Sequence, residues 1–350
     1  MAILDSSRIT RPEICEILEL LDSLRNEARD EFLRVPQNRE IDLGALWARV
    51  MEANQRWFDG EDVTGCISTE EQHYLARLHR FSVDYRADRF QAANPFENGV
   101  GIEPVDAGGV PAEWQTTPAT DESRALLYFH GGGYIMGSPN FTRLLTVDLG
   151  RVMGSRVLSV DYRLAPEHPF PMGVEDCFAA YRWLLEEGFD PRKIVVAGDS
   201  AGGYFTLMTL LRIRDEGMTQ PACAVCLCPA TDLALTGSTY ITNGPTDPVL
   251  ADLGIFWWLE AHLAGADPLD PAVSPLYADL ASLPPILIQA SASEMLLDDS
   301  RLFHDKARSA GTEVTLQTWD DTIHVFHQYE LPESQEAFKE IDTFVDRHTG

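Results

Sequence analysis

The chain has 350 residues with 27 Lys and Arg against 55 Asp and Glu, a formal net charge of −28. Hydrophobic residues make up 45% and charged residues 23%, the composition of a folded globular chain with room for one large domain or a domain with a lid. So acidic a surface excludes an electrostatic footprint for nucleic acid or anionic lipid, and no apolar run approaches the roughly 20 residues that span a bilayer.

The N-terminal residues Met1 to Arg8 lack a basic segment followed by an apolar stretch, so no signal peptide is expected. The six cysteines are too few for a disulfide framework. Cys223, Cys226 and Cys228 crowd together, but they lie in an apolar run with no second Cys/His pair at zinc spacing. They read as buried strand thiols, and the expected setting is cytoplasmic and reducing.

The first hundred residues read as helical. Thr10 to Glu13 forms a capping box, and Ile14, Ile17, Leu18, Leu21 and Leu24 follow at helix spacing. A second amphipathic stretch runs near Leu43 to Val50 and a third around Glu70 to His79. From about Val100 the period changes to that of strands: Gly101 to Val105, Pro111 to Trp114 and Ala125 to Phe129, with Asp106 to Gly109 as a hairpin turn. Strands and helices then alternate. Strands are expected at Arg156–Val160, Lys193–Ala197, Ala222–Cys228, Pro285–Ala290 and Glu313–Trp319. Helices are expected at Val174–Glu187, Ala201–Arg214, Asp298–Ala310 and Glu333–His348. Such alternation predicts a mainly parallel sheet covered on both faces. Between Asp232 and Ser274 the alternation stops, and a Gly/Pro/Thr-rich stretch leads into an aromatic helix, Leu253 to Leu263. That interval is a candidate inserted lid.

Gly198-Asp199-Ser200-Ala201-Gly202-Gly203 matches Gly-x-Ser-x-Gly between a predicted buried strand and a predicted helix. A strained strand-to-helix turn projects a serine hydroxyl above the sheet, and the following helix N-terminus favours developing negative charge. His130-Gly131-Gly132-Gly133 directly follows another predicted strand. Consecutive glycines let backbone N–H groups converge on an oxyanion, and the absence of a following Gly-Lys-Ser/Thr argues against a nucleotide loop. His130 reads as a brace for that loop and not as a catalyst.

With Asp161-Tyr162-Arg163-Leu164-Ala165-Pro166-Glu167 between these two motifs and Pro229-Ala230-Thr231-Asp232-Leu233 after them, the sequence resembles the hormone-sensitive-lipase family of bacterial serine carboxylesterases over roughly residues 100 to 345. The resemblance implies an α/β-hydrolase fold with a mainly parallel eight-stranded sheet, helices on both faces and a helical cap. It divides the chain into an N-terminal helical region (1–95) contributing to the cap, a core in two parts (96–231 and 275–350) and a cap insertion (232–274). It implies no cofactor and no metal. The partner expected is a small-molecule ester, with no nucleic acid and no membrane insertion; a homodimer stays open.

A serine needs a base, and the base an orienting acid, in the chain order Ser, Asp/Glu, His for this fold. The resemblance places the acid just after the seventh strand, where this chain has Glu294-Met295-Leu296-Leu297-Asp298. Glu294 is the choice, a Glu where Asp is commoner, while Asp298 and Asp299 read as acids capping or solvating the next helix. His324 is the base by the same resemblance, with His327 as its nearby rival. The expected triad is thus Ser200, Glu294 and His324, with Gly132, Gly133 and Ala201 as the oxyanion hole. The expected activity is hydrolysis of short- to medium-chain acyl esters. An amidase or deacetylase of the same fold is the alternative, and a non-catalytic small-molecule receptor a more distant one. Phe256, Trp257 and Trp258 read equally as pocket-shaping or as core residues.

Overall fold

Asp106 starts the sheet's first corner: its carboxylate accepts from Gly109 N at 2.5 Å, and Gly108 and Gly109 both take positive φ. The hairpin so made joins β1 (Gly101–Asp106) to β2 (Pro111–Thr116) in the computed structural model, which describes residues 11–251 and 253–350. The strands that follow are β3 (Asp121–Phe129), β4 (Ser155–Val160), β5 (Ile194–Asp199), β6 (Cys223–Leu227), β7 (Ile286–Ser291) and β8 (Val314–Trp319). They form one eight-stranded sheet in the order β1-β2-β4-β3-β5-β6-β7-β8. β2 runs antiparallel to β1 and β4, and every later pairing is parallel. Every residue of β5, β6 and β7 is buried, as expected for continuous apolar strands covered on both faces.

The crossovers are helices α4 (Pro139–Val152), α5 (Met172–Glu186), α6 (Ala201–Asp215) and α9 (Leu297–Ser309), and α10 (Pro332–Thr349) closes the chain. No helix is expected from the sequence at 139–152. Its start signals are nonetheless ordinary: Pro139 opens the helix and the Ser138 hydroxyl caps Phe141 N at 3.2 Å.

Three helices precede the sheet: α1 (Pro12–Phe32), α2 (Leu43–Phe58) and α3 (Thr69–Ala93). Thr10 of the anticipated capping box lies outside the described residues, and Arg11, at the N-cap position, makes no side-chain cap. A complete capping box stands instead at Ser68 and Glu71, opening α3. That helix runs 25 residues, well beyond the expected Glu70–His79, because its outer faces are so polar that apolar spacing marks only part of it. Arg80 of α3 reaches under the loop after β3, donating to Ile135 O at 2.7 Å and Ala165 O at 2.8 Å while pairing with Glu167 at 2.6 Å.

Between β6 and β7 the described residues form no strand, in line with the sequence reading; the segment carries α7 (Thr239–Thr242) and α8 (Ile255–Leu263). It packs on the N-terminal helices. Asn54 of α2 donates to Ala251 O at 2.6 Å, Gly65 N donates to Glu260 at 3.1 Å, and the His79 ring lies 5.8 and 6.0 Å from those of Trp257 and Trp258.

Candidate active site

Ser200 stands where β5 turns into α6, with φ 54 and ψ −117, a conformation that a non-glycine residue rarely adopts. Its N–H donates to Leu227 O at 2.8 Å and its carbonyl accepts from Gly203 N and Ala230 N, which fixes the turn from both sides. A Cβ at Gly202 would collide with the carbonyl oxygen of Phe129, and one at Gly198 with that of Gly202. The motif's glycines are therefore set by close backbone approach.

The glycine loop is tied to this turn by Asp199. Its Oδ1 accepts from Gly131 N at 2.9 Å and from the Tyr128 hydroxyl at 2.6 Å. Burial raises the Asp199 pKa, and those two donors work against the rise. His130 is the brace the sequence suggested: Nδ1 lies 2.7 Å from Gly131 O, and the ring stacks on Tyr162 with centroids 4.2 Å apart. Burial pushes its pKa down to about 4, so it is neutral. Beyond it, Gly132 and Gly133 adopt φ 125 and 58. Among the described residues, the N–H groups of Gly132, Gly133 and Ala201 have no intramolecular acceptor.

Glu294 and His324 are hydrogen-bonded through Oε2 and Nδ1, and Ser291 N holds the other carboxylate oxygen at 3.1 Å. Both residues are buried, in the loops after β7 and β8. Burial opposes the charged imidazolium, but the Glu294 carboxylate, with Asp247 and Asp199 behind it, outweighs burial and lifts the His324 pKa above its ordinary value. No hydrogen bond joins Ser200 to His324 among the described residues. The turn bearing Ser200 and the loop bearing His324 meet at the end of β6, where Leu227 O receives Ser200 N and Cys228 Sγ receives Val325 N at 3.3 Å. His327 is placed elsewhere, its Nε2 3.1 Å from Gln289 Oε1 and its pKa pushed down to about 3 by burial.

Two carboxylates differ from the sequence reading. Asp298 accepts from the Ser238 hydroxyl at 2.6 Å and from Thr239 N, so it caps α7 and not its own helix. Asp299 is wholly buried, accepting from Thr231 N, Asp232 N and the Tyr240 hydroxyl at 2.7, 2.8 and 2.6 Å. It fastens the start of the segment between β6 and β7 to α9. Adjacent acids in a helix's first turn hid this, because position alone does not tell a solvated acid from one turned inward.

Other contributors went unnoticed in the sequence. Asp247 accepts from Val249 N, Leu250 N and Met295 N at 2.9 Å each, and Asn243 donates to Glu294 O at 3.0 Å, so the segment between β6 and β7 holds the Glu294 loop. Asp247-Pro248 was the available signal.

Cys228, Glu294 and His324 present ligand atoms within 4.8 Å of one another, the one such grouping among the described residues. It suits a metal poorly. Glu294 and His324 Nδ1 already engage each other. Burial and the Glu294 charge hold the Cys228 thiol well above its usual range, the reverse of what a thiolate ligand needs. Cys223 and Cys226 are fully buried, as read from the sequence.

A cavity of about 40 Å³ lies against Ser200, Ala201 and Gly133. Of the three aromatics of α8, Trp258 lines this cavity, Phe256 lines a separate and larger one, and Trp257 is fully buried beside His79.

Residues 126–328 match the family model described as the alpha/beta hydrolase fold. An acetyl-hydrolase of Streptomyces hygroscopicus is 41% identical over 273 residues, covering 77% of this chain and 91% of that protein. An esterase of Acinetobacter venetianus is 33% identical over 249 residues, covering 70% of this chain and 82% of that one. Among solved structures, an esterase from the bacterial hormone-sensitive lipase family superposes with a TM-score of 0.73 at 36% identity, covering 89% of this chain and 100% of that one. A strained serine between sheet and helix, a glycine loop facing it and these relatives agree: the chain belongs to the bacterial hormone-sensitive-lipase family of α/β-hydrolases and is a carboxylic ester hydrolase.

Proposed function

We propose that Ser200 is the nucleophile of a serine carboxylesterase, with His324 its general base and Glu294 the acid that orients the base. The supporting observation is the buried hydrogen bond between Glu294 and His324 Nδ1. A carboxylate at Nδ1 assigns the ring proton there and leaves the Nε2 lone pair to accept one. In the reaction, the Ser200 hydroxyl attacks the ester carbonyl while His324 takes its proton. The N–H groups of Gly132, Gly133 and Ala201 stabilise the oxyanion, and His324 returns the proton to the departing alcohol. A water deprotonated by His324 then attacks the acyl-enzyme, freeing the acid and restoring Ser200. In this reading the Ser200–His324 hydrogen bond forms on substrate binding, as such contacts are often long in a ligand-free site.

The substrate in this reading is a small soluble ester with a short to medium acyl chain, handled in the cytoplasm. The N-terminal region up to residue 95 and the insertion 232–274 act together as a cap over core segments 96–231 and 275–350, a division supported by the hydrogen bonds from Asn54 and Gly65 to the insertion.

A fluorophosphonate probe tests the assignment. One adduct per chain is expected on Ser200, with both labelling and ester hydrolysis lost in Ser200→Ala. Retention of turnover by that folded variant, or an adduct on another residue, overturns it.

A further inference from the structure

The cavity against Ser200 shares a wall with its neighbour. The small chamber measures about 40 Å³ and the larger about 410 Å³, the latter bounded by Trp57, Phe256 and Leu263 and edged by Glu61, Asp62 and Glu260. Leu233, Leu235 and Leu259 line both. Side chains that border two cavities are what separates them. Leu259 comes from α8, and Leu233 and Leu235 come from the loop after β6.

Leu235 is held in a conformation leucine avoids, φ 55. Its surroundings impose it. Leu235 N donates to Asp232 O at 3.1 Å, and the buried Asp232 carboxylate accepts from Ala234 N at 3.0 Å, Thr236 N at 2.7 Å, the Thr236 hydroxyl at 2.6 Å and the Tyr277 hydroxyl at 2.8 Å. Strain kept by so many restraints marks a position where the direction of the side chain matters. Here that direction is into the wall between the chambers.

We propose that these three leucines form a partition that sets the acyl-chain limit, and that the acyl groups this site is built for stop at about four carbons. The proposal rests on the serine-esterase reading above and narrows it. About 40 Å³ is open to water-sized groups, and one such group needs roughly 10–15 Å³ of it, which leaves space for about three carbon-sized groups beyond the reacting carbonyl. An acetyl group places one carbon there and a hexanoyl group five. Trp258 closes the opposite side, since its ring packs so tightly on Gly133 that a Cβ there would run into it. The large chamber is then volume that a longer chain would occupy if the partition were opened.

The experiment compares kcat/KM for p-nitrophenyl acetate and p-nitrophenyl hexanoate in the native enzyme, Leu259→Ala and Leu235→Gly. Glycine is at ease at positive φ, so the second variant opens the wall without adding strain. The native enzyme is expected to prefer acetate. Each variant is expected to raise the hexanoate-to-acetate ratio by about tenfold or more, within the range that a few methylenes are worth in a hydrophobic pocket. Fluorophosphonate labelling of Ser200 is followed in parallel. Labelling intact with an unchanged ratio in both variants, or a native enzyme that turns over hexanoate as well as acetate, overturns the partition alone. Loss of labelling and of all turnover in the native protein overturns the serine-esterase reading and the partition with it.

Discussion

Glu294 Oε2 and His324 Nδ1 are bonded where solvent barely enters, with Glu294 1% and His324 7% exposed. An imidazolium formed during turnover would have no water to spread its charge into. Its compensation has to come from the carboxylate, which Ser291 N and the loop pinned by Asp247 and Asn243 hold in place.

Glu294→Gln is therefore expected to lower turnover by roughly 10⁴-fold, as loss of a triad acid does in other serine hydrolases. Glu294→Asp keeps the charge with a shorter reach and should retain more activity. Asp298→Asn removes a cap from α7, so its effect should fall on stability, by about 0.5–2 kcal/mol. Turnover numbers and denaturant midpoints of the three purified variants separate these outcomes. A crippled Asp298→Asn beside a normal Glu294→Gln would show that Asp298, and not Glu294, is the acid.

The raised pKa of His324 fixes the sign of one pH effect. Protonated His324 cannot accept the Ser200 proton, so kcat/KM should fall as pH drops through that pKa. The midpoint is expected above the ordinary histidine value of about 6.5. Because the Glu294 carboxylate is the main force raising it, the acid limb measured on the residual activity of Glu294→Gln should shift to lower pH. A native profile flat from pH 5 to 8 contradicts the assignment of the base.

Gly202→Ala tests why the nucleophile turn needs glycine. The added methyl would meet the Phe129 carbonyl of a central strand, with no flexible side chain to give way. The cost should reach or pass the upper end of the roughly 1–3 kcal/mol usual for overpacking. Urea midpoints of native and variant protein measure it, and a difference under about 1 kcal/mol would show that the strand yields.

Asp299 links stability to pH in the opposite sense from a salt-bridged acid. Burial lifts its pKa to about 7, against the donors Tyr240, Thr231 and Asp232. From the unfolded carboxyl's pKa near 4 up to about 7, the folded state keeps a proton that the unfolded state has released, so this residue's contribution to stability falls as pH rises through that window. The stability of the native protein relative to Asp299→Asn should therefore be higher at pH 5 than at pH 8. Chemical denaturation of both proteins at the two pH values measures the change. An equal difference at both would mean that Asp299 is ionised throughout.

How far the sequence disclosed this protein depended on whether local chemistry left a local mark. The turn at Ser200 was legible because backbone crowding forces Gly198 and Gly202, and the sheet because β5 to β7 are buried and mainly apolar. The pairing of Glu294 with His324 followed from chain order and resemblance. Helix α4 was overlooked although Ser138-Pro139 announces it, and α3 was cut short because a polar helix packed along a narrow stripe shows little periodicity. Asp247 and Asp299 escaped for another reason. Their roles come from backbone N–H groups far away in the sequence, and a residue type alone does not say which distant loop it will meet.

Arg80 binds the early helices to the catalytic half of the molecule, since its guanidinium satisfies Ile135 O and Ala165 O behind the glycine loop and pairs with Glu167. A chain begun at β1 would leave those two carbonyls without their donor and Glu167 without its counter-ion. The leading helices therefore cannot melt as an independent unit while the rest stays intact. Heating should give a single cooperative transition, with enzymatic function and helical signal disappearing together.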